Sequence, residues 1–287
     1  MAMLVGESNW KAVASFCETV MIAKEAAERD RERADPVRRR RRQGGRIHRP
    51  VDTITKCSIK DEECLSKVYG NVITSIGKNG IPEYGIPPID PIVLKDISLS
   101  VAGLADITLI DGIVNGITGC TFKRFAVDIE KERSKIDIAC DLVVEGKYKL
   151  SSSSPLIKTF LNGSSIHGEG TGKVELQKII LKLDYPFYAF KRDGEIYLKC
   201  DYKAGKYDYE ILGKLKFEAD NLYLGEKESS KEIVDLMNKN WKLIADTVGR
   251  PFADRALDIY VDYSSKFFDK VPAKQYIADD LSSYARS

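Results

Sequence analysis

The chain has no run of 18 consecutive apolar residues, so no membrane-spanning helix is expected. It has two histidines, His48 and His167, too few for a histidine-rich metal site. None of its six cysteines (Cys17, Cys57, Cys64, Cys120, Cys140 and Cys200) forms a C-x-x-C pair, which weakens zinc-ribbon and thioredoxin-like readings. Excess charge is also missing. The formal net charge is +2, with twelve Lys/Arg against seven Asp/Glu in residues 1–50 and 33 against 36 in the remaining 237. The larger part therefore lacks the surplus of cations that a phosphate backbone needs, which argues against nucleic acid as its partner.

Catalytic constellations are missing as well. Gly168-Glu169-Gly170-Thr171-Gly172-Lys173 has three residues between its outer glycines where a phosphate loop has four, and Val174 follows the lysine where Ser or Thr is required. It reads as a flexible turn before a strand. His167 reads as an exposed loop histidine, with no Asp or Cys near it in sequence and no Gly-x-Ser-x-Gly motif. Carboxylates are plentiful but fall on the polar faces of alternating segments. Neither an enzyme nor a cofactor is expected.

The first fifty residues offer no secretion signal: Glu7, Lys11 and Glu18 interrupt every apolar stretch among the first 20. Residues 24–49 are charge-dense and end in the run Arg38 to Arg42. Segment 1–50 reads as an atypical, disordered basic extension, with a nuclear signal or a processing site as alternatives. The rest, residues 51–287, is long enough to bury a full core.

What is present begins at Cys57. Asp61, Glu62 and Glu63 suit the positive end of a helix over about 60–78, with Leu65, Val68, Val72, Ile73 and Ile76 on one face. Cys57 and Cys64, seven apart at the helix start, read better as a bridge than as free thiols. Gly80 and Pro82 end the helix. The Pro-rich link 82–91 is expected to be extended, with Ile81, Ile86 and Ile89 buried.

From 92 to 224 the signal is alternation. Between 135 and 150, Ile136, Ile138, Cys140, Leu142, Val144, Tyr148 and Leu150 hold the even positions, and charges hold most of the odd ones. That predicts one strand of roughly 50 Å. Further strands are expected over 117–129, 174–183, 195–203 and 207–217, joined by short links into a mainly antiparallel sheet that must coil. Cys120, Cys140 and Cys200 fall in strands, and their pairing is left open.

Over 229–268 the period becomes helical: Ile233, Met237, Trp241, Ile244, Val248, Phe252 and Ile259 recur at three and four. Gly249 and Pro251 predict a kink or brief break. A 40-residue helix would span about 60 Å, comparable to the strands. The fold class is therefore α+β: a long C-terminal helix wrapped by a highly curved antiparallel β-sheet, apolar faces inward, with a short N-terminal amphipathic helix. Whether the lining of Ile136, Ile138, Leu142, Val144, Val72, Ile76, Met237, Trp241, Ile244 and Val248 closes into a solid core or leaves a tunnel stays open, because packing density is not written in a sequence.

Cys57-x6-Cys64, the amphipathic helix and Gly80-Ile81-Pro82-Glu83 … Pro87-Pro88-Ile89-Asp90-Pro91 resemble the takeout and juvenile-hormone-binding protein family of insects. Asn221-Leu222-Tyr223-Leu224-Gly225 … Met237-Asn238-Lys239-Asn240-Trp241 resembles that family's second signature, where its long helix begins. The resemblance covers about 51–280. It implies a tubular lipid-binding fold and a secreted, monomeric carrier that holds a small hydrophobic molecule (juvenile hormone, another terpenoid or a fatty lipid) in an apolar tunnel. It also implies a Cys57–Cys64 disulfide. Hormone-binding members carry a second disulfide whose first cysteine matches Cys200, but no cysteine lies near Trp241 to complete it. That departure points to a takeout-like member.

Tyr148 and Tyr209 are the candidates for orienting a polar group of the ligand. Asn162-Gly163-Ser164 is a glycosylation sequon, meaningful if the chain is secreted. An alternative function is recognition of a receptor through the outer face, with the ligand only regulatory.

Overall fold

Asp61 opens the first helix: its carboxylate accepts the Cys64 N–H at 3.0 Å, and Glu62 and Glu63 fill the first turn of α1 (Glu62–Ile76). This computed structural model of the chain describes residues 54–101, 105–152, 154, 155, 158, 163–201 and 204–286. The expectations for segment 1–50, including Cys17 and His48, and for Asn162 lie outside the described residues. The Cys57–Cys64 disulfide, with Cα atoms 5.7 Å apart, ties the chain before α1 to its first turn. Beyond the helix, Ile81, Ile86 and Ile89 are buried with Ile76 as expected, but the link is not extended throughout: Pro82–Tyr84 is a 3-10 turn ended by Gly85 at φ 66. The Asp90 carboxylate then accepts the N–H groups of Gly116 at 3.0 Å and Thr118 at 2.8 Å.

Among the described residues ten strands follow: β1 (Ile92–Val101), β2 (Ala105–Asn115), β3 (Thr121–Asp128), β4 (Arg133–Ser152), β5 (Ile166–Arg192), β6 (Glu195–Cys200), β7 (Lys206–Ile211), β8 (Leu215–Ala219), β9 (Leu222–Leu224) and β10 (Lys227–Glu228). The order is β1-β2-β4-β5-β9-β10. β3 lies beside β4, and β6, β7 and β8 lie along β5. All of these pairings are antiparallel.

β4 confirms the alternation and extends it to 20 residues. β5 is longer, at 27 residues, because a bulge hides its continuity. Val174 and Leu176 face inward at even positions. The ladder then jumps from Leu142↔Leu176 to Cys140↔Ile179. After the jump, Ile179, Leu181, Leu183 and Tyr185 carry the apolar face at odd positions. Lys178 sits at φ 53 in this bulge, and its N–H donates to Asp141 Oδ1 at 2.6 Å.

The bulge also corrects the expected single strand over 207–217. Leu212, Gly213 and Lys214 leave the ladder to follow it, with Leu212 N–H on Lys178 O (3.0 Å) and Gln177 N–H on Lys214 O (2.9 Å). Two strands, β7 and β8, result. The segment 117–129 is shortened similarly. Ile117–Gly119 is a 3-10 turn, fixed by Asp90 and by Gly116 at φ 105, so Ile117 is not on the strand face with Phe125 and Val127. The run expected to reach 203 ends as a strand at Cys200.

The stretch Gly168–Lys173 is not a turn but part of β5, and His167 lies on that strand, exposed and stacked on Tyr223 at 5.4 Å. Its glycines serve close approach rather than flexibility: a Cβ on Gly170 would lie 2.6 Å from the Asp220 carbonyl oxygen. Further along, Gly112, Gly146, Gly172 and Ala219 are successive cross-strand partners on β2, β4, β5 and β8. A Cβ on Gly146 would stand 2.5 Å from Gly112 Cα. This row free of large side chains is a crease at which the sheet can fold.

The C-terminal helix is interrupted, but not where Gly249 and Pro251 predict. α2 (Ser230–Lys239) ends at Asn240, whose N–H meets the Leu236 and Met237 carbonyls and whose side-chain amide returns to Leu236 O at 2.8 Å. α3 (Trp241–Lys270) then runs through both Gly249 and Pro251. After α3 the chain folds back to α1. Cys57 N–H donates to Tyr276 O (3.1 Å) and Ala278 N–H to Cys57 O (2.8 Å).

Candidate functional site

Among the described residues, buried apolar side chains form three separate clusters rather than one continuous core. The largest joins Cys57, Leu65, Ile136, Ile138, Leu183 and Tyr185 to Phe268, Tyr276 and Ile277. A second gathers Ile76, Ile81, Ile86 and Ile89, with Val72 packed against them. The third is small: Tyr148, Leu222 and Ile233, with Met237 at its edge. Along the inner row of β4 the burial is therefore discontinuous. Ile136 has no exposed surface and Tyr148 only 9%, yet Leu142 and Val144 between them are half-buried and join no cluster.

The register extends this middle zone across the sheet. Ile92, Val114, Val144, Val174 and Phe217 are successive partners on five strands, β1, β2, β4, β5 and β8. All five are half-buried; Ile92 packs against the second cluster and the other four join none. On the helical side Trp241, Ile244 and Val248 are half-buried too, and Ala245 is buried. Thus Ile136, Ile138, Ile76 and Val72 belong to packed ends. Leu142, Val144, Trp241, Ile244 and Val248 are half-buried and join none of the three clusters, whereas Tyr148 and Met237 belong to the third. Val114, Val174, Leu176 and Phe217 were missed by sequence reasoning. Only the cross-strand register brings them beside Val144 and Leu142.

The two candidate tyrosines already use their hydroxyl hydrogens. Tyr148 donates to the Asp220 carbonyl at 2.7 Å, and burial, then the nearby Asp220 carboxylate, pushes its pKa up to about 12. Tyr209 donates to the Ala245 carbonyl at 3.2 Å, and burial raises its pKa as well. Each oxygen can still accept a hydrogen bond but has no hydrogen left to give. Both phenols stay neutral at physiological pH, so the middle zone gains no charge from them.

Polar chemistry gathers elsewhere. Tyr69 on α1 and Tyr260 on α3 bring their hydroxyls to 3.3 Å, with burial raising both pKa values. Tyr207 donates to Asp254, and its ring lies 3.9 Å from the Arg250 guanidinium carbon. Among the described residues no group of His, Cys, Asp and Glu could hold a metal ion. No described helix is long and apolar enough to cross a membrane.

Among the described residues two disulfides are present, Cys57–Cys64 and Cys120–Cys140, and Cys200 takes part in neither. The second closes the pairing that the sequence left open. It joins Cys120, which lies one residue before β3 and not in a strand as expected, to Cys140 on β4, 20 residues apart.

The family model described as haemolymph juvenile hormone binding protein matches residues 47–278. The circadian clock-controlled protein daywake of Drosophila melanogaster is 24% identical over 208 residues, 67% of this chain and 74% of its own length. The juvenile hormone-binding protein of Manduca sexta is 33% identical over 99 residues, which span 31% of this chain and 42% of that protein. Among solved structures, takeout 1 of Epiphyas postvittana superposes with a TM-score of 0.69 at 21% identity, covering 78% of this chain and 99% of that one. The likeness in fold is a long C-terminal helix packed on a large antiparallel sheet.

Proposed function

The chain belongs to the haemolymph juvenile hormone binding protein family, and from that membership we propose that it is a secreted, takeout-like carrier holding a small hydrophobic molecule between its sheet and α3. The observation that carries this reading is the half-buried apolar belt Val114–Val144–Val174–Phe217 across β2, β4, β5 and β8, whose residues join no buried cluster. An apolar ligand laid along the belt would remove that surface from water, at about 25 cal/mol per Å². A terpenoid or fatty chain fits a lining of Val, Ile, Leu and Phe, and the protein would act by binding, as a monomer, without catalysis or a cofactor. Residues 51–287 form the carrier unit in this reading. The disulfides are those of a protein that matures in an oxidising compartment.

Organic extraction of the protein purified from its own source, followed by mass spectrometry, is expected to yield a stoichiometric lipid or terpenoid. Titration of the stripped protein with the apolar fluorophore 1-N-phenylnaphthylamine is expected to saturate at one or two equivalents. A protein with neither an extractable nor a titratable ligand would sink the reading.

A further inference from the structure

The C-terminal helices are fastened to one edge of the sheet and not to the other. On the β7–β9 side the fastenings follow one another. Ser230 Oγ accepts the Leu222 N–H at 2.9 Å. The Asn238 amide spans the Phe217 N–H (2.8 Å) and carbonyl (2.9 Å). Tyr209 reaches the Ala245 carbonyl at 3.2 Å, and Tyr207 holds Asp254 beneath the Arg250 guanidinium.

β1 stands at the opposite end of the strand order and also packs against α3. Among the described residues no hydrogen bond or ion pair joins α3 to β1. The strand is loosely built. Its ladder skips Asp96, which sits at φ 50; Ile92 packs with Tyr263 and Phe267 of α3 against the second cluster, but the inward Leu94, Ile97 and Leu99 are half-buried and join no cluster. Phe252 and Ala256, one turn apart on α3, stay exposed, Phe252 by 43%.

We propose that α3 hinges on its fastened edge and that the seam between β1 and α3 is the passage by which a hydrophobic ligand enters and leaves. This rests on the carrier reading. Apolar contacts are non-directional, so a hydrocarbon can replace them group for group as it slides through. The hydrogen bonds on the other edge would each have to break and leave a desolvated partner. The end of the domain near Cys57 is closed by the returning chain, where Ile277 and Leu281 are buried against the largest cluster.

The test is a pair of tethers in the full chain, with Cys17 and Cys200 replaced by serine. A short photocleavable bis-maleimide joins Ser98→Cys on β1 to Asp258→Cys on α3. A control tether joins Asp208→Cys on β7 to Asp258→Cys. Stopped-flow fluorescence with 1-N-phenylnaphthylamine is expected to show association and dissociation slowed at least tenfold by the β1 tether and restored by light. The β7 tether should leave both rates within twofold. Unchanged rates under the β1 tether, or equal slowing by both, would overturn the passage while leaving the carrier intact. Failure of the untethered chain to bind the fluorophore at all would overturn the carrier reading, and the passage with it.

Discussion

The Tyr209 hydroxyl stands where a side chain on residue 249 would begin: a Cβ built on Gly249 lies 2.5 Å from it. Gly249 is thus a site of close approach between β7 and α3, not a helix breaker, and α3 passes through it unbroken. Gly249→Ala should therefore cost about 1–2 kcal/mol, because overpacking outweighs the ~1 kcal/mol that alanine gains in a helix. In a Tyr209→Phe background, which removes the clashing oxygen, the same change should cost less than about 0.5 kcal/mol. Urea unfolding of the four proteins measures this coupling; equal costs in both backgrounds would show that the contact is not the reason for the glycine.

The glycine crease makes a second prediction. Gly146→Ala forces a Cβ to within 2.5 Å of Gly112 Cα, a backbone atom that cannot turn aside, and should cost about 2–4 kcal/mol or prevent folding. Gly119→Ala meets nothing within 4 Å and should stay within about 0.5 kcal/mol of the parent. Thermal melts of the two variants should differ by many degrees.

Filling the middle zone and emptying a packed end should separate binding from stability. Leu142→Trp or Val144→Phe occupies half-exposed space. Either should weaken 1-N-phenylnaphthylamine at least tenfold while lowering stability by less than about 1.5 kcal/mol. Ile136→Ala, at a site with no exposed surface, should cost about 2–5 kcal/mol and leave affinity within twofold. Loss of binding in both classes, in proportion to stability, would count against a distinct ligand zone.

Acid should loosen the link that follows α1. Burial raises the pKa of Asp90, but bonds from the Thr118 hydroxyl, the Thr118 N–H and the Gly116 N–H outweigh it, with help from Lys78, and hold the carboxyl below its usual range. A group with a depressed folded pKa contributes stability above its unfolded value, near 4, that is lost as pH falls through the folded value. The parent should therefore lose stability steeply below pH ~4, and Asp90→Asn should be less stable at pH 7 but flatter in that acid window. Chemical unfolding between pH 7 and 2 checks the slope; parallel curves would refute it.

Several elements were legible because a single chain carries their signal. The period-two run of β4, the acidic first turn of α1 and the buried isoleucines of the Pro-rich link needed nothing but local pattern. β5 was harder, since the bulge at Gln177–Lys178 flips the inward parity from Val174 and Leu176 to Ile179 and Leu181, and period two fails across the flip. The glycines at 168, 170 and 172 resembled a turn because the reason for them, the backbone of Asp220 and Asn221 and the ring of Tyr148, is remote in sequence. Asn240 gave no breaker signal, yet its side chain caps the end of α2, while Pro251 leaves α3 intact. The belt through Val144 required register, and its partial burial required packing; neither is a property of one segment.

The pairing of Cys57 with Tyr276 and Ala278 joins points some 220 positions apart through two backbone hydrogen bonds. The largest cluster cannot be completed until residues 276–281 have left the ribosome, because Tyr276, Ile277 and Leu281 are part of it. The Cys57–Cys64 bond closes a loop of seven and can form as soon as α1 emerges. Synthesis thus separates an early local crosslink from a closure that waits for residues more than 200 positions later.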